Sequence, residues 1–190
     1  GVNPDPLQYD GVLLPFNNNN FEAAIENVLS NSYHFKNVTM AEAKLSDGQR
    51  LLAFNDFFIG PTSHVSARYQ ISFNNISERH SSSGILVSTG AGSTGWMSSV
   101  FNMTNSVAKN FGHSDINSFQ QMPWDTNELM FVVREPFQSK TSQIQLTSGL
   151  IKTGQELTLE SFMPGSGIIF SDGLETDFLQ FNSGAIASIG

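Results

Sequence analysis

The sequence predicts a mainly β domain: a β-sandwich of many short antiparallel strands with one substantial helix. Three observations carry this prediction. Apolar and polar residues alternate with a period of two over much of the chain. Short continuous apolar runs are separated by turn-forming residues. One long stretch, residues 96–111, instead keeps a helical period.

In chain order, a short apolar run, Val12-Leu13-Leu14, precedes Pro15-Phe16, and Asn17 to Asn20 then read as a loop and helix start. Phe21, Ala24, Ile25 and Val28 fall at i, i+3, i+4 and i+7, which predicts a short amphipathic helix over Phe21–Leu29. From about Tyr33 the period changes to two. Tyr69, Ile71 and Phe73 alternate with Gln70 and Ser72; Ile144 and Leu146 with Gln143, Gln145 and Thr147; Leu157 and Leu159 with Thr158 and Glu160. Continuous runs over 51–59, 84–88, 129–133 and 167–170 predict buried strands, bounded by turns such as Ser46-Asp47-Gly48 and Ser171-Asp172-Gly173. Trp96, Val100, Met103, Val107 and Phe111 lie on one helical face, read as a core face, with Ser93 or Thr94 as cap and Gly112 as the C′ glycine.

Composition narrows the function classes. The 190 residues hold 9 basic and 17 acidic side chains, a net charge of −8. Charged residues make up 14% of the chain, below the usual figure of roughly 25%. Sixteen Phe and 39% hydrophobic content exclude a disordered chain. The acidic balance argues against a nucleic-acid partner, and no apolar run approaches the ~20 residues of a membrane span. The lack of cysteine removes disulfides, thiolate catalysis and zinc-finger sites. His34, His64, His80 and His113 are widely spaced without metal-ligand motifs, so no metal is expected. No serine sits in a nucleophile elbow, and Glu175 with Asp177 reads as a solvated pair. The opening Gly1-Val2-Asn3-Pro4-Asp5-Pro6 has neither a basic nor an apolar leader segment.

Three segments could carry chemistry. In the stretch from Gly84 to Trp96, an apolar strand feeds a Gly/Ser/Thr loop that opens the main helix, where unpaired N–H groups favour anions and polar ligand edges. Gly90, Gly92 and Gly95 also spell GxGxxG. The dinucleotide fingerprint needs a parallel strand after the helix, ending in an acid. Here Phe111-Gly112-His113-Ser114-Asp115 follows with no apolar strand before Asp115, so that match is weak. A Walker loop fails for want of a Lys. The loop reads either as a plain strand-to-helix turn or as a site, since Ser88, Thr89, Ser93 and Thr94 exceed the one hydroxyl that a cap requires. The second segment, Ala53-Phe54-Asn55-Asp56-Phe57-Phe58-Ile59, sets an amide and a carboxylate inside an apolar run, either as a turn or bulge or as ligand contacts. The third is Ser171-Asp172-Gly173, which reads first as a hairpin turn.

Together these motifs resemble the C-terminal domain of the NAD kinase family and its relatives in the sugar and diacylglycerol-type kinase branch. The family pattern is an Asn-Asp or Asn-Glu pair, then Asp-Gly, a strand and a Thr-Gly-Ser-Thr-Ala-Tyr-like helix start. This chain has Asn55-Asp56, then Ser83-Gly84, Ser88-Thr89 and Gly92-Ser93-Thr94-Gly95-Trp96, with Ser171-Asp172-Gly173 later. The resemblance covers nearly the whole chain. It implies that Asn55 and Asp56 meet the ribose or adenine side of NAD. Thr94, Gly95, Trp96 and Ser99 would line the adenine pocket, and Asp172 would lie near it. Ser83 stands where the family has the Asp that holds the nicotinamide end.

The chain has no Gly-Gly-Asp-Gly, the family motif of the N-terminal lobe that supplies phosphate-binding glycines and the catalytic Asp. Gly1-Val2-Asn3 resembles the stretch that follows that motif. The expectation is therefore a C-terminal fragment: residues 1–16 a remnant of the inter-lobe connection, and 17–190 one β-rich nucleotide-binding and oligomerisation domain. The resemblance further implies a cytoplasmic phosphotransferase that converts NAD to NADP, with ATP and Mg²⁺ used by the full-length enzyme and no catalytic residue in this chain. A homodimer or homotetramer is expected. Two other functions compete: a divergent kinase acting on a sugar or lipid hydroxyl, motivated by Ser83, and a non-enzymatic β-sandwich binding module presenting an exposed Trp124 and Asn-rich loops.

Overall fold

The computed structural model describes residues 1–112, 121–174 and 176–190. They divide into two compact units, Gly1–Asn37 and Val38–Gly190.

In the first unit, β1 (Val2–Asn3) and β2 (Phe16–Asn17) form a two-residue parallel ladder. Asn3 is buried, and its amide donates to the Tyr9 carbonyl at 2.7 Å. Helix α1 (Phe21–Leu29) occupies the predicted span, with Asn20 at its N-cap. The Asn20 side chain, however, accepts from the Asn17 N–H at 2.8 Å and caps no helix amide. None of its residues is buried.

The second unit is a β-sandwich. Strands β3 (Ala41–Leu45) and β4 (Arg50–Ala53) are followed by β5 (Asp56–Pro61), β6 (Ala67–Phe73), β7 (Ile76–Ser82) and β8 (Ile85–Ser88). A 3₁₀ turn (Gly92–Thr94) leads into helix α2 (Trp96–Asn110). Then come β9 (Glu128–Val133), β10 (Ser148–Lys152), β11 (Leu157–Ser161), β12 (Gly167–Ser171), β13 (Phe178–Gln180) and β14 (Ile186–Ile189). One six-stranded sheet runs β10-β9-β8-β5-β12-β13 and the other β4-β3-β14-β11-β6-β7. Every pairing in both is antiparallel. Alternate residues of both sheets, among them Phe57, Ile59, Val87, Phe131, Tyr69, Ile71, Leu157 and Leu159, meet in one core.

The structure corrects the sequence reading in several places. The apolar run over 51–59 is two strands: β4 belongs to one sheet, β5 to the other, and Phe54-Asn55 make the crossing. The Ile144/Leu146 alternation is not a strand. Gln143 N–H donates to the Arg79 carbonyl at 2.9 Å, and Leu146 N–H donates to the buried Glu78 carboxylate, which also lies 2.7 Å from His80 Nε2. The segment therefore flanks edge strand β7 through side-chain as well as backbone bonds.

The stripe on α2 is not core either. Met103, Val107 and Phe111 are 50%, 53% and 79% exposed, while Met97 is fully buried. The covered line is rotated by one residue, through Met97, Phe101 and Ala108. Gly112, at φ +85, does take the left-handed conformation expected of a C′ glycine. No described helix is long and apolar enough to cross a membrane.

Candidate functional site

The crossing between the sheets is held by an acid from a distant strand. Asp172 follows β12 in a turn where it and Gly173 both have positive φ, 53° and 71°, closed by Leu174 N–H to the Ser171 carbonyl at 2.9 Å. This is the pattern of a type I′ turn. The turn aims the Asp172 carboxylate at the β4–β5 crossing, where it accepts N–H groups from Phe54 at 2.9 Å, Asn55 at 2.6 Å and Asp56 at 3.3 Å. A backbone that leaves one sheet for another has donors without ladder partners, and the carboxylate supplies acceptors for them.

The helix start is bound to the same crossing. Thr89 Oγ1 donates to the Phe54 carbonyl at 2.6 Å and accepts from Gly92 N–H at 3.1 Å. Gly92 lies so close that a Cβ there would be 2.0 Å from the Asn55 carbonyl oxygen; at Gly90 it would be 1.9 Å from that of Pro123. Two glycines of the GxGxxG pattern thus serve close backbone approach. The strands that flank α2, β8 and β9, are antiparallel neighbours, so the loop is not part of a parallel dinucleotide-binding unit. His113, Asp115 and Glu175 lie outside the described residues. Ser93 Oγ donates to the Gly90 carbonyl at 2.8 Å and accepts from Met122 N–H at 3.2 Å. The expected hydroxyl cap is not made: the N-cap of α2 is Gly95, without a side-chain hydrogen bond.

The surplus of hydroxyls at the helix start therefore resolves into two groups. Ser88, Thr89 and Ser93 are buried and bonded to the backbone. The side chains of Asn55, Asp56, Thr94 and Ser99 make no hydrogen bond to the described residues. Asp56 is 8% exposed, and its pKa is raised to about 6, first by burial and second by the charge of Asp172. A largely buried carboxylate with no donor among the described residues is an acceptor for ligand hydroxyls.

Trp96 stacks on Phe58, with ring centroids 5.6 Å apart and planes within 8°. The Arg134 guanidinium lies over both rings, 5.3 Å from the Trp96 centroid and 6.0 Å from that of Phe58. Trp96, Ser99, Val100, Met103, Val132 and Arg134 line a cavity of about 340 Å³. Ser83 lies elsewhere, in a second cavity of about 340 Å³ shared with Phe58, His64 and Arg134. The predicted residues thus divide. Asp172 holds the crossing that carries Asn55 and Asp56, and this crossing meets the loop before Thr94. Trp96 and Ser99 share a cavity, and Ser83 stands beyond Phe58. Phe58 and Arg134 were not predicted. The available signal for Arg134 was a lone cation ending the apolar run over 129–133.

No protein-family model matches the sequence, and no curated protein matches it. A solved structure does match by shape. The fold is similar to that of yeast NADH kinase. The match to the crystal structure of that kinase, complexed with NADH, has a TM-score of 0.66 at 15% identity. It covers 94% of this chain and 47% of the kinase chain, so the present chain spans about half its length. A mainly β domain with an NAD kinase-like fold is thereby established.

Proposed function

We propose that this chain is the nucleotide-binding domain of an NAD kinase-like phosphotransferase, with NAD or NADP as its ligand. The observation that carries the reading is the physical joining of the Asn55-Asp56 crossing to the start of α2, where the side chains of Asn55, Asp56, Thr94 and Ser99 have no hydrogen-bond partner among the described residues. Asn55 and Asp56 accept and donate to ribose or adenine edges, and Trp96 offers an indole face to a flat ring. Gly95 leaves the approach to Trp96 free of a side chain. Asp172 acts as a positioning residue, because its oxygens hold the backbone of Asn55 and Asp56.

Phosphoryl transfer needs a metal, positioned phosphates and a base. Among the described residues no three His, Cys, Asp or Glu side chains come together to hold a metal. ATP and Mg²⁺ belong in this proposal to a larger enzyme, and this chain alone binds without catalysing. The exposed Met103, Val107 and Phe111 support self-association as a homodimer or homotetramer.

One observation favours the second reading, a divergent kinase acting on another hydroxyl substrate: Ser83 shares its cavity with Arg134 and His64. The glycan-module alternative loses part of its support, since Trp124 is half-buried. Heat unfolding of the chain with NAD, NADP, ATP and neutral sugars separates these readings. Selective stabilisation by NAD or NADP, lost in Asn55→Ala, is the expected result. Stabilisation by a sugar alone overturns the nucleotide reading.

A further inference from the structure

The cavity beyond Phe58 is built differently from its neighbour. Its floor is the Phe58 ring, seated over two glycines: a Cβ on Gly60 or on Gly84 would lie 2.8 Å from that ring. Gly84 also has φ +105, a conformation that side-chain-bearing residues rarely adopt. With the ring held flat, Trp96 stacks on it and the Arg134 guanidinium covers both. Arg134 is fixed at its backbone as well. Its N–H donates to the Gly84 carbonyl at 2.8 Å, and its carbonyl accepts from Ser83 N–H at 2.9 Å. The next residue, Glu135, is left-handed at φ 43°, and turns the chain away directly after Arg134. An arginine stacked on aromatic faces keeps the in-plane edge of its guanidinium available, the edge that donates to oxyanions.

Around that arginine the wall is formed by Ser63, His64, Ser66 and Ser83, with no acidic residue among the described residues that line it. The only carboxylate paired with Arg134 among the described residues is that of Glu135, at 3.7 Å, and it belongs to the other cavity. In a chain with 9 basic and 17 acidic residues, a cavity walled by a fixed cation, an imidazole and three hydroxyls has the composition of an anion site.

We propose that this cavity binds an oxyanion, a phosphate or carboxylate group, through Arg134, with Ser83 and His64 as further donors. The proposal shares Trp96 with the nucleotide reading and takes up Ser83, the position the family resemblance assigns to the nicotinamide end, but it needs neither Asn55 nor Asp56.

The test is a titration of the 190-residue chain with inorganic phosphate, and separately with acetate, at constant ionic strength. The readout is Trp96 emission in a Trp124→Phe background, because the guanidinium that meets the anion lies over the Trp96 ring. A saturable change is expected, weakened about tenfold or more in Arg134→Gln, the loss of one charge-assisted contact. Ser83→Asp, at an exposed position, sets a carboxylate against Arg134 and abolishes the change in a chain that still folds. A response to phosphate alone assigns a phosphate ester, and a response to acetate alone assigns a carboxylate. No response to either, or one that persists in Ser83→Asp, overturns the proposal while leaving NAD binding at Asn55 to be judged separately.

Discussion

At the Asp56 end of β5, Asp172, Thr89 and Ser93 direct their hydrogen bonds back into the chain; across the start of α2, the side chains of Asn55, Asp56, Thr94 and Ser99 direct none to the described residues. Both groups are polar, and they are interleaved in sequence. The difference is between groups that hold a backbone crossing in place and groups that the crossing holds out. Residue type does not separate them: Ser93 is buried with two bonds, whereas Ser99, at the next turn, is exposed. Substitution at the first group should cost stability; at the second it should cost binding and no stability.

The largest effect is expected from Asp172→Ala, which leaves three N–H groups of the crossing without their acceptor. A loss of about 3 kcal/mol is predicted in urea unfolding, and a loss under about 0.5 kcal/mol, as for an ordinary surface change, would break the comparison. Gly92→Ala forces a Cβ against the Asn55 carbonyl, and should cost about 2 kcal/mol or more.

Asp56 sharpens the contrast, because it is buried without being used to hold the fold. Its pKa rises from 3.8 to about 6, chiefly through burial and secondly through Asp172. Between those values the folded state holds a proton that the unfolded state has released. The stabilising contribution is therefore complete below pH ~4 and lost as pH rises through about 6. Asp56→Asn should flatten this part of the stability profile and raise stability at neutral pH by about 1–2 kcal/mol, after allowance for solvent screening. A profile that keeps its slope in the variant would contradict the assignment.

The smallest stability effect is predicted for Ser99→Ala, within about 0.5 kcal/mol of the parent.

The sandwich and both helices were legible because strand and helix periods are local properties. What escaped was set by contacts between distant segments. The run over 51–59 has no break in apolarity where it changes sheet, and the acceptor that holds the change, Asp172, is 118 residues from Phe54. A local Asp-Gly pattern correctly announces the turn but not the reach of its carboxylate. Ile144 and Leu146 alternate like a strand, yet part of their pairing goes to the Glu78 side chain, which no period reveals. The stripe on α2 has the spacing of a core face, but Met97 took the buried position and left Met103, Val107 and Phe111 outside. Within the site, Asn55, Asp56 and the helix start were visible as polar interruptions of apolar runs. Phe58 and Arg134 were not, because their stacking depends on Gly60 and Gly84 lying beneath one ring.

The central claim is that the groups around the crossing that have no partner among the described residues form one ligand site. The most direct test is the affinity of the chain for NAD beside that of Asn55→Ala, with urea unfolding of both. The account predicts binding to the parent, at least about tenfold weaker binding to the variant, and stabilities equal to within about 0.5 kcal/mol. Equal affinities, or weaker binding that tracks a lost fold, would contradict it.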